Sequence, residues 1–269
     1  MPASPPPMMS GMSSVPHVSA PATGLHDLIT NGAGLPRPDP RAIQALRRVS
    51  SASITTILRK QLGITRSWIA LKPLTPGTRV AGPALTVRSV PEREDIARIA
   101  YAPGTEFPGH PDDAIEAIQP GDVLVHDGMG QEDQGLYGDL LSLRIKVKGA
   151  AGLVTDMAVR DSVQIKAHGL AVFCRGTASP GGRVYNVDYN VPIGCAGTLV
   201  IPGDIIVGDD DGVVVIPRAL LDEVVEAVLY HEEREQYLRM LLAGGTELRN
   251  VYPVSEETDR RFREWRAQR

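Results

Sequence analysis

The apolar positions change period along the chain, and the changes mark its elements. Between positions 39 and 62 they recur every three to four residues, first Ile43, Leu46 and Val49, then Ile54, Ile57, Leu58 and Leu62. That spacing predicts two amphipathic helices. Asp39 before Pro40 suits the start of the first, an N-cap ahead of a proline at the first helical position. Ser50 or Ser51 caps the second, and Gly63 is placed to end it. After Trp68-Ile69-Ala70-Leu71 the sequence turns β-rich over 79–90, where AGPALTVRSV contains a turn-like Gly82–Pro83. A short helix over 92–100, a loop over 103–111 and a further short helix through Ile115 and Ile118 follow.

Pro-Gly-Asp occurs at 120–122 and again at 202–204, each time ahead of an apolar run, Val123-Leu124-Val125 and Ile205-Ile206-Val207. Pro-Gly fits the central positions of a type II turn, so the recurrence is turn chemistry and not a duplicated domain. From there the pattern reads strand (122–127), glycine loop (128–138), helix (139–148), strand (151–155), helix (161–168) and strand (170–174). Strands alternating with helices predict parallel α/β pairing. The stretch 191–215 is rich in Gly and β-branched residues and predicts a β layer, with Asp209-Asp210-Asp211-Gly212 as a hairpin between two apolar runs. Residues 220–242 read as a long amphipathic helix stopped by Gly244–Gly245. A last helix from Ser255 has Glu256 and Glu257 at its start and arginines toward its end, matching the helix dipole. It is expected to pack on the domain or on a neighbouring subunit.

Composition narrows the class. Residues 1–36, rich in Pro, Ser, Met and Ala, follow neither period and predict a flexible tail ahead of a domain over 37–243 and a C-terminal extension over 244–269. With 28 Lys plus Arg against 32 Asp plus Glu, the net charge of -4 gives no general attraction to nucleic acid or membrane. The aromatic content of 4% supplies no base-stacking platform. Cys174 and Cys195 lack zinc-ligand spacing and read as core thiols in a reducing, cytoplasmic compartment. The N-terminal segment does not read as a signal peptide, and no apolar run reaches the roughly 20 residues a bilayer requires.

Candidate chemistry gathers in 138–161. Asp139 follows Gly138 at a helix start, where an acid is commonly placed for the dipole alone. The N–H groups of Leu140 and Leu141 in that first turn are equally suited to a substrate carboxylate. The loop before them has Gly128, Gly130, Gly135 and Gly138, which lets backbone approach a ligand, but Asp133 breaks the GxGxxG dinucleotide spacing. Arg160 and Asp161 end the loop after strand 151–155. Asp161 reads as an N-cap of helix 161–168, and Arg160 as a surface cation whose fork also suits a carboxylate or oxyanion. A carboxylate beside it can ligate Mg²⁺ or Mn²⁺. Asn190 is a candidate wall residue. His126–Asp127 reads better as a strand end than as an acid/base pair, Asp209 to Asp211 better as a turn than as a metal site, and His168 as a helix C-terminal residue.

Asp139, twenty intervening residues and then Arg160–Asp161 resemble the D-x20-R-D signature of the RraA-like class II pyruvate aldolases, typified by 4-hydroxy-4-methyl-2-oxoglutarate/4-carboxy-4-hydroxy-2-oxoadipate aldolase. PGDVLVHDG, GDLL, GAAGLV, Asn190-Val191-Pro192, Gly194-Cys195-Ala196-Gly197 and PGDIIVGDDDGVVVIP occur in the family's order, and the likeness covers about 40–230. The resemblance implies an α/β fold of the swivelling β/β/α type, here with helical N- and C-terminal extensions, in a homotrimer or homohexamer. It implies substrate binding by Gly138, Asp139, Leu140, Leu141 and Arg160, and catalysis by Asp139 and Arg160. The divalent cation, Mg²⁺ or Mn²⁺, would be held at Asp161. The implied reaction is cleavage of a 4-hydroxy-2-oxo acid to pyruvate, with oxaloacetate decarboxylation as a side activity. A non-enzymatic regulator that binds a ribonuclease is the alternative the family name implies. Many relatives carry an acid three residues after the metal-holding Asp, where this chain has Gln164.

Overall fold

The structure, a computed structural model, describes residues 34–96 and 111–269. Residues 1–33 of the expected tail, positions 97–100 of the helix expected over 92–100 and the loop over 103–110 lie outside the described residues. The caps read from the sequence set the first helices. Asp39 accepts from the N–H of Arg41 at 2.8 Å and opens α1 (Pro40–Leu46). The Ser50 hydroxyl accepts from Ser53 N at 3.0 Å and opens α2 (Ser51–Gln61).

The strands in order are β1 (Trp68–Ile69), β2 (Lys72–Pro73), β3 (Val80–Pro91), β4 (Val123–Asp127), β5 (Gly152–Thr155), β6 (Ala158–Val159), β7 (Val172–Cys174), β8 (Gly176–Thr177), β9 (Val184–Tyr189), β10 (Ile193–Cys195), β11 (Thr198–Val200), β12 (Ile205–Asp209) and β13 (Gly212–Ile216). The remaining α-helices are α3 (Pro111–Glu116), α4 (Asp139–Val147), α5 (Ser162–His168), α6 (Leu221–Ala243) and α7 (Glu256–Ala267). The main sheet runs β1-β13-β12-β3-β4-β5-β7-β2, with β9 also on β3. As the alternation predicts, β3, β4, β5 and β7 are parallel, and Asp209–Gly212 closes the antiparallel β12–β13 hairpin. The outermost strands β1 and β2 are separated in the chain only by Ala70 and Leu71. So short a tether forces the sheet to curl back on itself.

Side chains alternate across this curled sheet with period two. Val123, Val125, Val154, Phe173, Ile206, Val213 and Val215 face its interior with Cys195 and Val200. Leu85, Val87, Leu124, Leu153 and Val172 face outward on one side, under Ile145 of α4 and Ile165 of α5. Ile205, Val207, Val214 and Ile216 face the other side, under α1, α2 and α6. Both cysteines are buried and unpaired, and burial raises the pKa of each thiol.

Gly82–Pro83 is not a turn. Both residues lie within β3, opposite Ile206 and Ile205 of β12, just before β3 changes partner to β4 at Ala84. Proline needs no ladder donor at such a junction. The carbonyl oxygen of Gly121 sits where a Cβ on residue 82 would be. The two Pro-Gly-Asp turns do form, with Gly121 at φ 89° and Gly203 at φ 84°. Asp122 N donates to Gln119 O and Asp204 N to Ile201 O, both at 3.0 Å. Each aspartate carboxylate in turn accepts from the N–H three residues back, at 2.8 and 2.9 Å. Arg37 pairs with Asp122, and Arg218 donates to Pro36 O at 2.6 Å. No helix among the described residues is long and apolar enough to cross a membrane.

Candidate active site

The glycine loop 128–138 lies backbone to backbone against the segment that leaves β5. Gly135 bridges to Ala158 and to Gly181, and Arg160 N donates to Tyr137 O at 3.0 Å. At the end of the loop a Cβ on Gly138 would stand 2.5 Å from Asp161 Oδ2 and 3.0 Å from Arg160 Cγ. Only glycine lets the start of α4 come this close to the Arg160–Asp161 pair.

Asp161 occupies the N-cap position of α5, yet its side chain makes no cap bond there. Its backbone is left-handed, φ 51° and ψ 41°, a costly conformation for a residue with a side chain and one that concentrates at functional positions. Its Oδ2 accepts from Asp139 N, the first residue of α4, at 3.2 Å and lies 3.4 Å from Arg160 Nε. The expected cap of its own helix is thus replaced by a contact with the N-terminus of a different one, where the partial positive charge favours a carboxylate.

Asp139, Arg160 and Asp161 are brought together, as the D-x20-R-D spacing implies, and all three side chains remain open to solvent. Among the described residues nothing accepts from the first-turn N–H groups of Leu140 and Leu141. Sequence reasoning missed the partner of Asp139: His168 Nε2 lies 2.6 Å from Asp139 Oδ1. It also missed the far wall. A groove of about 300 Å³ is lined by Arg160, Asp161 and Ser162 on one side and by Thr177, Ala178 and Ser179 on the other. The available signal was Ser179-Pro180-Gly181-Gly182, a turn sequence that returns the chain past Gly135, whose N–H donates to Pro180 O at 3.0 Å.

Among the described residues no three His, Cys, Asp or Glu side chains gather as a metal cage. Asp161 Oδ1 has no partner among them, and the groove beside it is open. One free carboxylate oxygen with room for water suits Mg²⁺ or Mn²⁺, which keep several waters, and does not suit a metal that requires a set of protein ligands. Gln164 is exposed on α5 and does not line the groove.

The other candidates lie elsewhere. His126 is fully buried, with Nε2 at 2.6 Å from Ser89 Oγ and Nδ1 at 3.2 Å from Thr155 Oγ1, and burial lowers its pKa to about 3. It braces the strands and cannot meet a substrate. Asp209 accepts from Ser51 N at 2.8 Å and Ser51 Oγ at 2.6 Å, tying the hairpin to the start of α2. Asn190 lines a separate cavity of about 110 Å³ with Arg37 and Asp122.

Known proteins share both sequence and fold with this chain. It is 36% identical over 165 residues to a Halalkalibacterium halodurans protein named "Putative 4-hydroxy-4-methyl-2-oxoglutarate aldolase", covering 61% of this chain and 72% of that one. It is 33% identical over 211 residues to protein DlpA of Legionella pneumophila; the match takes in 78% of this chain but only 33% of DlpA, so the chain spans about a third of that relative. The crystal structure of Streptomyces coelicolor RraAS2, described as an unusual member of the RNase ES inhibitor RraA protein family, superposes with a TM-score of 0.67 at 37% identity, over 77% of this chain and 99% of that one. The RraA-like family model, described as Aldolase/RraA, matches residues 51–215, a span that contains the curled sheet, the glycine loop and the Asp139–Arg160–Asp161 site, and the chain belongs to this family.

Proposed function

We propose that the chain is a lyase that cleaves a 4-hydroxy-2-oxo acid of the 4-hydroxy-4-methyl-2-oxoglutarate kind to pyruvate and a second carbonyl compound. The observation that carries this reading is the meeting of Arg160, Asp161 and the N-terminus of α4, with Asp161 Oδ2 3.2 Å from Asp139 N and 3.4 Å from Arg160 Nε. Family membership and the likeness to the Halalkalibacterium protein support it.

Asp161 would hold Mg²⁺ or Mn²⁺, which when bound supplies Lewis acidity toward the 2-oxo group. Arg160 donates to the substrate's 2-oxo acid end and stabilises the oxygen on which negative charge gathers. The N–H groups of Leu140 and Leu141, reached past Gly138, bind a carboxylate at the start of α4. In cleavage the 4-hydroxyl gives up its proton, C4 becomes a carbonyl carbon and the C3–C4 bond breaks. Its electron pair passes through C3 and C2 to the 2-oxo oxygen, leaving the enolate of pyruvate, and C3 then takes up a proton. Asp139, fixed by His168, positions or deprotonates the water that carries these protons. Loss of CO₂ from oxaloacetate gives the same enolate, so decarboxylation is a side activity. A homotrimer or homohexamer is the assembly that goes with this reading.

The test is pyruvate release from 4-hydroxy-4-methyl-2-oxoglutarate and from oxaloacetate, with Mg²⁺ and with EDTA. Turnover that requires the cation and disappears in Arg160→Ala supports the reading, and turnover unchanged in Asp139→Ala and Arg160→Ala sinks the mechanism. The 37% identity to RraAS2 favours a second reading, a regulator that binds a ribonuclease. No turnover across a panel of 2-oxo acids would shift the assignment to it.

A further inference from the structure

The N-terminal edge of the parallel strands carries a second polar hollow, at the other end of β5 from the candidate active site. It measures about 410 Å³ and is floored by Ala151, ahead of β5, and by Leu170 and Ala171, ahead of β7. Arg47, Arg79, Lys146 and Lys166 line it with the hydroxyl-bearing Thr75 and Thr78. They come from four places in the chain: the C-cap of α1, the approach to β3, and the last turns of α4 and α5. A cation at a helix C-terminus has an ordinary dipole role. That role accounts for Arg47, Lys146 and Lys166 one at a time, and not for their convergence with Arg79 on one hollow.

Little among the described residues offsets these charges. Arg79 lies 3.7 Å from Asp209 and donates to Val49 O. Lys146 Nζ donates to Gly169 O at 3.1 Å, a neutral partner. Among the described residues Arg47 and Lys166 have no carboxylate within ion-pair reach. Asp209 therefore offsets one of the four cations, in a chain whose net charge is -4. Like charges lining one hollow raise each other's cost unless an anion lies between them.

We propose that this hollow binds a small, multiply charged oxyanion, a phosphate compound or a polycarboxylate. The arginine forks match paired oxygens, the lysines act as point charges, and the threonine hydroxyls supply neutral donors. This inference stands apart from the aldolase reading, because none of these residues belongs to the Arg160–Asp161 groove.

Calorimetric titration of the full chain with inorganic pyrophosphate and, separately, with citrate tests it, at about 10 mM salt and without divalent cation. One anion per chain is expected, with affinity lowered at least tenfold in Arg47→Glu/Lys166→Glu. Arg249→Glu, a single charge reversal in the C-terminal segment, and Arg160→Ala, at the other anion-attracting place, should bind as the parent does. If the double reversal fails to fold, Arg47→Ala and Lys166→Ala are each expected to weaken binding about threefold. Preference for pyrophosphate assigns the phosphate class and preference for citrate the polycarboxylate class, and both uphold the site. Binding by neither anion overturns the proposal. So does equal loss in Arg249→Glu, or undiminished binding in folded Arg47 and Lys166 variants.

Discussion

His168 Nε2 stands 2.6 Å from Asp139 Oδ1, so the last residue of α5 fixes the side chain of the first residue of α4. The cap position of α4 is Gly138, which has no side chain to cap with, and the Asp139 carboxylate in the first turn pairs with His168. Under the proposed reaction His168 is a positioning residue and Asp139 the group that handles the proton. Asp139→Asn should lower kcat for pyruvate release by about 10² to 10⁴. His168→Ala should lower kcat by about tenfold with little change in KM, and His168→Gln, which can still donate to the carboxylate, should restore part of it. Equal losses in kcat for His168→Ala and His168→Gln, with both variants folded, would argue against positioning.

Gly138→Ala tests the close approach at the start of α4. The added methyl would stand 2.5 Å from Asp161 Oδ2 and 3.0 Å from Arg160 Cγ, so either side chain must move. Both are partly exposed and free to do so, and the fold should survive with a small change in Tm. The site should not, because displacement of a reacting group by about 1 Å costs on the order of 10² in rate. Steady-state kinetics beside a thermal melt separates the two effects. An active Gly138→Ala variant would show that the approach is incidental.

Two buried groups oppose each other in the acid range. His126 titrates at about 3 because burial disfavours its charged form. Between about 3 and the ordinary histidine value of 6.5 the unfolded chain binds the proton and the folded chain does not, so stability falls as pH drops through that window. Burial raises Asp204 from 3.8 to about 6. In that interval the folded chain binds the proton more readily, so Asp204 contributes stability that is present at low pH and lost as pH rises toward 6. Asp204→Asn should therefore lose stability more steeply than the parent between about pH 6 and pH 4. It should also be less stable throughout, by about 1–3 kcal/mol, because an amide cannot accept from both Ile201 N and Arg218 N. Urea denaturation across this range measures both. Parallel pH profiles would show that Asp204 does not titrate there.

The local signals and the strand alternation were legible because they depend on neighbours in sequence. Asp39 and Ser50 cap the helices they precede, both Pro-Gly-Asp turns close, and the parallel order follows from alternating periods. Gly82–Pro83 misled because its turn composition reflects the crossing carbonyl of Gly121, a contact made across the fold. The same limit applied at the site. The D-x20-R-D spacing brought out Asp139, Arg160 and Asp161, but periodicity carries no information on which neighbour a side chain meets. His168 carries only the signal of a helix end, and Thr177 to Ser179 carry none, because the 177–182 segment meets Arg160 only through the fold.

The C-terminal helix α7 depends on one side chain more than on its sequence. Phe262 is fully buried, 5.4 Å from the Tyr230 ring, 5.9 Å from Tyr237 and 6.1 Å from Trp265. With Leu238 and Val251 these residues form a cluster of their own, separate from the sheet core. The outer pairs add little, since Arg234–Asp259 at 3.7 Å is partly exposed. A helix of 12 residues is marginal in water by itself, so α7 stays folded through this contact with α6. Phe262→Ala removes about 3–5 kcal/mol of packing, more than a satellite element of this size can spare. The expected outcome is local release: amide protons of 256–267 exchange rapidly, while those of β4, β5 and β12 keep their protection and the main transition shifts by only a few degrees. Hydrogen exchange read by mass spectrometry distinguishes this from its opposite. A uniform loss of protection across the sheet would show that α7 and the core unfold as one unit.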